Sequence, residues 1–386
     1  MKRYYTAEAV TEGHPDKLCD LIADTIVDDC IKVDPASRVA CEVLATQGNI
    51  IVAGEITSRH EPLVPEIVRK VLADVGYPSK GIQIQTLLHQ QSPDIAQAME
   101  GSVKTCRPGK KSTTRHELGA GDQGIMIGYA CDETSQRLPM PVVMANEIVR
   151  RLSLYRRSRY IDGLLPDGKA QVTVEYEDGR PVRLDRVVVS CQHMETADMD
   201  LLKREIKRKV LTPSLKLLPP DGETIIMINP SGRFVCGGLD ADTGLTGRKL
   251  MVDTYGSMVP HGGGSFSGKD GTKLDRSGAY MARYIAKNIV MAGLAHRCQV
   301  TLAYVIGMAQ PVMVQVDTFG TSQVCADDCL AAAIPMVFDL RPEQIIKQLD
   351  LELPIYTKTI QYGHFGHGGF LWERADKIKQ LRDAVV

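Results

Sequence analysis

Hydrophobic and polar positions along the chain fall into two periods. Val- and Ile-rich stretches with partial two-residue alternation predict strands at Ala40–Ala45, Ile50–Thr57, Gln171–Tyr176, Arg186–Ser190, Ile225–Ile228, Gln299–Ile306 and Val312–Asp317. Apolar residues at helical spacing predict helices at Asp16–Val33, Leu63–Val75, Val142–Leu154, Met199–Leu211 and Lys273–Leu294. The last carries Ala279, Ala282, Ile285, Ala286 and Ile289 on one face. Strands and helices interleave without strict alternation. That favours several α+β units over one parallel barrel.

Two stretches break the pattern. One runs from Met99 to Leu118, with Gly101, Pro108, Gly109, Lys110, Lys111 and a Ser-Thr-Thr run, and reads as a mobile loop or linker. The other is Lys216–Gly222, with two prolines followed by Asp-Gly. Cutting there gives an N-terminal unit (1–98), a loop (99–118), a central unit (119–222) and a C-terminal unit (223–386). No sequence repeat relates them.

Composition narrows the class. A length of 386 residues exceeds one ordinary domain, and 44% hydrophobic with 24% charged residues is that of a globular protein. A net charge of −1 gives no reason to expect nucleic acid or an anionic membrane as partner. Basic runs at Arg150-Arg151, Arg156–Arg159 and Lys203–Lys209 read as solvated helix faces. Ten cysteines without a C-x-x-C pair point to reduced thiols, hence a cytoplasmic protein. No segment reads as a signal peptide or a membrane span.

Candidate chemistry centres on His261-Gly-Gly-Gly-Ser-Phe-Ser-Gly-Lys-Asp270. From Gly263 it fits G-x-x-x-x-G-K, but Asp270 stands where a phosphate loop has a magnesium-binding Ser or Thr. Its glycines and Lys269 still suit an anion, so it reads as a polyphosphate loop outside the usual nucleotide-hydrolase scheme. A plain surface turn is the alternative. Glu12-Gly-His-Pro-Asp-Lys17 puts His14, Asp16 and Lys17 at a helix start with Pro15 at its first position, a natural anion site. Asp16, Asp20, Asp24 and Asp28 recur every fourth residue. For the last three the expectation is a solvated face, with a bound cation as the alternative. Gly119-Ala-Gly-Asp-Gln-Gly124 is a second glycine loop, equally a turn when taken alone. Asn229–Phe234 and Asp242–Lys249 set an aromatic ring, cations and an acid among glycines, the mixture that purine stacking and phosphate neutralisation need.

Together, Glu12–Lys17, the GAGDQG loop, Leu245–Lys249 and the 261–270 loop resemble the S-adenosylmethionine synthetase (methionine adenosyltransferase) family, in order from Thr11 to about Trp372. The resemblance implies three similar α/β-sandwich domains with pseudo-threefold symmetry. It also implies a homotetramer built from two dimers, with active sites between subunits. The implied reaction takes ATP, L-methionine and water to S-adenosylmethionine, diphosphate and phosphate, with two magnesium ions and one potassium ion. A thioether nucleophile has no proton to lose, so no general base is needed. This suits a chain without a Ser/His/Asp or Cys/His arrangement.

Residue by residue, the resemblance places His14 beside the breaking C5′–O bond. It gives magnesium to Asp16 and Asp275, and potassium to Glu42. The methionine pocket takes Glu55, Gln91 and Lys273, and Asp242 touches both substrates. Asp167 and Lys169 contact ATP, Arg233 and Phe234 lie near its adenosine and phosphates, and Arg248, Lys249, Ser265 and Lys269 face the polyphosphate. Asp122 offsets charge growing on sulfur. By residue type alone, Glu42 and Glu55 are ordinary strand acids. Three features depart from the family pattern. The stretch after Asp94, expected to be an active-site lid, is longer than in common bacterial members. Ala241 replaces a glycine before Asp242. Gly366-His367 stands where the family has Arg, and a metal at His364 and His367 is disfavoured by their glycine-rich turn. A phosphate-loop ATPase and a non-catalytic regulatory partner are the rival readings.

Overall fold

The computed structural model describes residues 2–92 and 118–385. The predicted loop 99–118, Leu118 apart, lies outside them. Among the described residues, eleven strands form three sheets: β1 (Lys2–Val10), β2 (Arg38–Thr46), β3 (Asn49–Thr57), β4 (Gln83–His89), β5 (Gly124–Cys131), β6 (Leu164–Glu177), β7 (Arg180–His193), β8 (Ile225–Ile228), β9 (Gly244–Leu245), β10 (Arg297–Tyr304) and β11 (Met313–Asp317). The main helices are α1 (Pro15–Val33), α2 (Val64–Val75), α3 (Met140–Arg157), α4 (Met199–Glu205), α5 (Leu274–Met291), α6 (Asp327–Val337), α7 (Pro342–Gln348) and α8 (Ile378–Ala384). α4 continues through a π-turn, Ile206–Leu211.

The sheets have the orders β1-β6-β7-β8, β11-β10-β5 and β4-β3-β2-β9. A single topology recurs along the chain. A strand leads into a helix, an antiparallel hairpin and a second helix (β1-α1-β2-β3-α2, then β5-α3-β6-β7-α4, then β9-α5-β10-β11-α6). In the first two repeats a further strand then adds parallel to the hairpin, β4 beside β3 and β8 beside β7. The opening strand of each repeat joins the sheet of another: β1 pairs with β6, β5 with β10 and β9 with β2. This cyclic exchange makes an α+β fold of three interlocked units, as the sequence led us to expect.

The expected helices are found with small shifts at their ends. The strand expected at Gln299–Ile306 is displaced two residues toward the N-terminus, because the chain turns at Gly307 in the left-handed region. β1, β4, β5, β9 and α6 to α8 were not anticipated. One apolar core lies around α1, α5 and the two sheets built on β2 and β10. A second fills the space between α3, α4 and the β6–β7 sheet. α5 is buried along nearly its whole length. No helix among the described residues is long and apolar enough to cross a membrane. The described cysteines are free thiols.

Candidate active site

The 261–270 loop is pinned between α1 and β2. Gly268 has φ +82°, and a Cβ there would meet the Cys41 carbonyl oxygen at 1.9 Å, so only glycine fits. Its N–H donates to Asp24 at 2.8 Å, and its carbonyl accepts from Cys41 at 2.8 Å. A Cβ on Gly264 would stand 2.2 Å from Oδ1 of Asp275, which brings the loop against the first turn of α5. Asp270 is buried and holds the loop down. Its carboxylate accepts from Val39 N at 2.6 Å and Thr272 N at 2.8 Å, and it pairs with Lys273. Burial works to raise its pKa, but Lys273 and these hydrogen bonds carry it below the ordinary value. The residue that breaks the phosphate-loop pattern therefore clamps the loop. Lys269 lies 2.7 Å from Asp275.

At the start of α1, Pro15 occupies the first turn and His14 is the N-cap, its Nδ1 accepting from Asp16 N at 3.2 Å. Burial and the charge of Lys249 push the His14 pKa down to about 4, against the pull of Asp16 and Asp242; Lys169 adds to the depression. His14 is thus neutral at pH 7, and with Nδ1 accepting, its proton sits on Nε2. Asp16 accepts from Leu245 N at 3.0 Å, pairs with Lys249 and lies 3.9 Å from Arg248. Burial opposes its charge, yet the bonds from Lys249 and Leu245 lower its pKa.

The acidic stripe below it corrects the sequence reading. Asp20, Asp24 and Asp28 are not a solvated face. Asp20 accepts from Gly247 N at 2.9 Å and pairs with Lys17 at 3.0 Å. Asp24 takes Gly268 N and both terminal nitrogens of Arg276. Asp28 takes the N–H groups of Tyr356 and Thr357 at 2.9 and 2.8 Å. One face of α1 thus stitches down successive loops of the C-terminal third. Lys17, expected at an anion site, is instead buried between Asp20 and Asp253, and Arg276 was missed by sequence reasoning. The available signal for Arg276 was a charge inside an otherwise apolar helix stripe.

On the opposite side, Asp167 in β6 is buried. Its Oδ2 accepts from Gly238 N at 2.9 Å, and its Oδ1 has no hydrogen-bond partner among the described residues. Burial raises its pKa. Gln192 bridges Asp167 N and the Val235 carbonyl, which sets the Arg233–Phe234 loop beside Asp167. Phe234 N donates to His193, and Arg233 pairs with Glu195 at 2.6 Å on the surface. Lys169 and Asp242 are exposed. Ala241 sits at φ −105°, where alanine is unstrained, so the missing glycine does not disturb Asp242.

A cavity of about 200 Å³ brings Gln91, Asp122, Lys269, Lys273 and Asp275 together, with the GAGDQG loop as one wall. Oε1 of Gln91 is buried there without a partner among the described residues. Ser265 packs against Gly247, joining the two phosphate-type loops. Glu42 and Glu55 share the outer face of the β2–β3 sheet, diagonal across the register Ala40↔Glu55 and Glu42↔Ala53. Partial desolvation raises the Glu42 pKa, with Lys269 opposing and Asp20 and Glu55 adding repulsion. Glu55 lies 3.4 Å from His89. Nε2 of His367 is bonded to the Tyr362 and Gly363 carbonyls, and Nδ1 of His364 to Tyr280.

Comparison with known proteins agrees along the whole chain. Sequence signatures of the N-terminal, central and C-terminal domains of S-adenosylmethionine synthetase match residues 2–94, 117–234 and 236–374. An S-adenosylmethionine synthase of Staphylococcus epidermidis is 47% identical over 397 aligned positions, covering 100% of this chain and 98% of its own length. One from Desulforudis audaxviator is 48% identical over 392 positions, covering 99% and 98%. The chain belongs to the S-adenosylmethionine synthetase family.

Proposed function

We propose that this chain transfers the adenosyl group of ATP to the sulfur of L-methionine and then hydrolyses the departing triphosphate to diphosphate and phosphate. The observation that carries the reading is the convergence at the start of α1. Segments distant in sequence bring His14, Asp16, Lys169, Asp242 and Lys249 within electrostatic reach of one another. Displacement at C5′ needs alignment and charge stabilisation of the leaving group rather than proton abstraction. Lys169, Arg248, Lys249 and Lys269, with Ser265, grip the polyphosphate. Neutral His14 donates from Nε2 to the oxygen that leaves C5′. Asp167 and the Arg233–Phe234 loop hold the nucleotide. Glu55, Gln91, Lys273 and Asp242 hold methionine, and Asp122 faces the sulfonium charge.

Asp16 and Asp275 fit magnesium. No group of three or more His, Cys, Asp or Glu converges on one point among the described residues. A hard ion held by one carboxylate, with phosphate oxygens and water completing its shell, is the usual magnesium arrangement. Two such ions would stabilise charge on the departing triphosphate, and Glu42 would hold one potassium ion. The outer face of the β2–β3–β4 sheet carries exposed Leu44 and Leu87 beside Glu42 and Glu55. This supports active sites shared between subunits of a dimer; pairing of dimers into a tetramer, and a cytoplasmic location, are further parts of the proposal. The division at 98, 118 and 222 belongs to the same reading. The test is mass spectrometry of products from ATP, methionine, magnesium and potassium. Absence of the sulfonium product, or ADP as the product, defeats it.

A further inference from the structure

A cavity of about 430 Å³ lies away from the site described above, where β1, the β6–β7 turn and the end of β5 meet the segment after β11. Its walls are Tyr5, Tyr129, Tyr176 and Phe319, with Met258. The rings meet edge to face: Tyr5 and Tyr176 at 4.9 Å between centroids, Tyr129 and Phe319 at 6.1 Å. Two arginines line it. Arg297 lies over the Phe319 ring, 5.2 Å from its centroid, and Arg3 is exposed at the rim. Asp178 is the one acid among the lining residues.

Its polar groups are incompletely satisfied. Nε of Arg297 is buried with no hydrogen-bond partner among the described residues. The Tyr129 hydroxyl, on a side chain 1% exposed, has at best the Cys131 thiol beside it, a weak partner. Behind them, one oxygen of Glu133 is likewise unpartnered, while the other accepts from Tyr176 at 2.6 Å. Buried donors and acceptors left over in this way are costly unless something else meets them. The volume is that of a small-molecule pocket. The lining stacks a flat ring, and its cations outnumber its acid. Tyr129 lies five residues along β5 from Gly124 at the glycine loop, roughly 17 Å at strand rise.

We propose that this cavity is a second ligand site, for a planar aromatic or heteroaromatic carboxylate. The ring lies among the tyrosines and Phe319. The carboxylate is held by the guanidinium groups of Arg297 and Arg3, for which the fork geometry is suited.

The test uses the full-length assembled enzyme and indole-3-acetate, titrated by calorimetry with a non-hydrolysable ATP analogue and methionine at saturation. Saturable binding is expected, with indole-3-acetamide, which has lost the charge, about tenfold weaker. Phe319→Leu and Arg297→Gln each weaken the acid by about tenfold or more, while Arg3→Gln, at an exposed position, gives a smaller loss in a fold it does not disturb. All three retain wild-type turnover of ATP and methionine. The proposal is overturned by absence of saturable binding, by equal affinity for acid and amide, by binding unchanged in a correctly folded Phe319→Leu enzyme, or by binding seen only when the ATP analogue and methionine are left out.

Discussion

Asp24 and Arg276 face each other fully buried, joined by two hydrogen bonds of 2.7 and 2.6 Å between α1 and α5. Burial opposes the charge on Arg276, and Asp24 more than offsets it, so the guanidinium stays protonated. Arg276 also donates to the Lys269 carbonyl and to Thr359, and Asp24 receives Gly268 N. The pair thus fixes the backbone on which Lys269 stands. Removing one partner leaves the other buried and uncompensated, so Asp24→Ala or Arg276→Ala is expected to cost about 3–5 kcal/mol. The double change Asp24→Ala with Arg276→Ala should cost less than the two single changes summed. Equilibrium denaturation of the four proteins checks this, and additive losses would count against the coupling.

His14 sets an acid limit. Its pKa is near 4 in the fold, against 6.5 when unfolded. The unfolded chain therefore binds the extra proton first as pH falls. Stability from this group is complete above pH 6.5 and drains away between 6.5 and 4, by at most about 3 kcal/mol. Asp253 works in the opposite sense. Burial raises its pKa to about 6 despite Lys17, so it takes up a proton in the fold before it would in the unfolded chain. His14→Gln should flatten the loss between pH 6.5 and 4 while leaving the Asp253 contribution in place. Melting temperatures across that range, measured for both proteins, test it; parallel curves would exclude His14 as the source.

Much of the site was legible because its chemistry is local. Glycines that must approach other backbone, a proline at a helix start and lysines beside them sit within short motifs such as 261–270. The fold class followed from periodicity. The acidic stripe did not, since Asp20 meets Gly247 and Asp28 meets Thr357 across 227 and 329 residues. Like charges at every fourth position look the same on paper whether water or backbone N–H groups answer them. The threefold topology was reached only through the family resemblance, not through periodicity. It resides in the order of elements and the exchange of β1, β5 and β9, which any suitably apolar side chains satisfy. β4 escaped notice because Leu87, on its outer face, is exposed although apolar and breaks the usual alternation.

That face yields its own expectation. Leu87 is 59% exposed on the sheet that carries Glu42 and Glu55. If this face joins subunits, Leu87→Glu buries a charge at the contact, dissociates the assembly and removes most activity, though the residue touches no substrate. Light scattering alongside turnover decides the matter. An assembled, fully active variant would place the interface elsewhere.

Asp270→Ser restores the phosphate-loop consensus and tests what the loop is. A serine can answer neither the Val39 and Thr272 N–H groups together nor Lys273. We expect a loss of about 3 kcal/mol and weaker synthesis, with no gain of ATP hydrolysis to ADP. Thermal melts and nucleotide chromatography provide the readout, and ADP formation would revive the hydrolase interpretation.

The last expectation concerns the two lysine–carboxylate pairs. Lys249 pairs with Asp16 and Lys269 with Asp275, so each proposed magnesium carboxylate is matched to a proposed phosphate lysine. Binding magnesium-ATP would exchange these contacts for metal on the acids and phosphate on the lysines. Lys269→Ala should therefore lower kcat by about 10²-fold or more, because one clamp on the developing charge is gone. Asp275→Asn should act differently, raising the magnesium concentration needed for half-maximal rate, since an amide is a poorer ligand for a hard ion. Turnover measured against magnesium for both variants separates the roles. If the asparagine variant needs no more magnesium than the parent, Asp275 is not a ligand and serves only to hold Lys269.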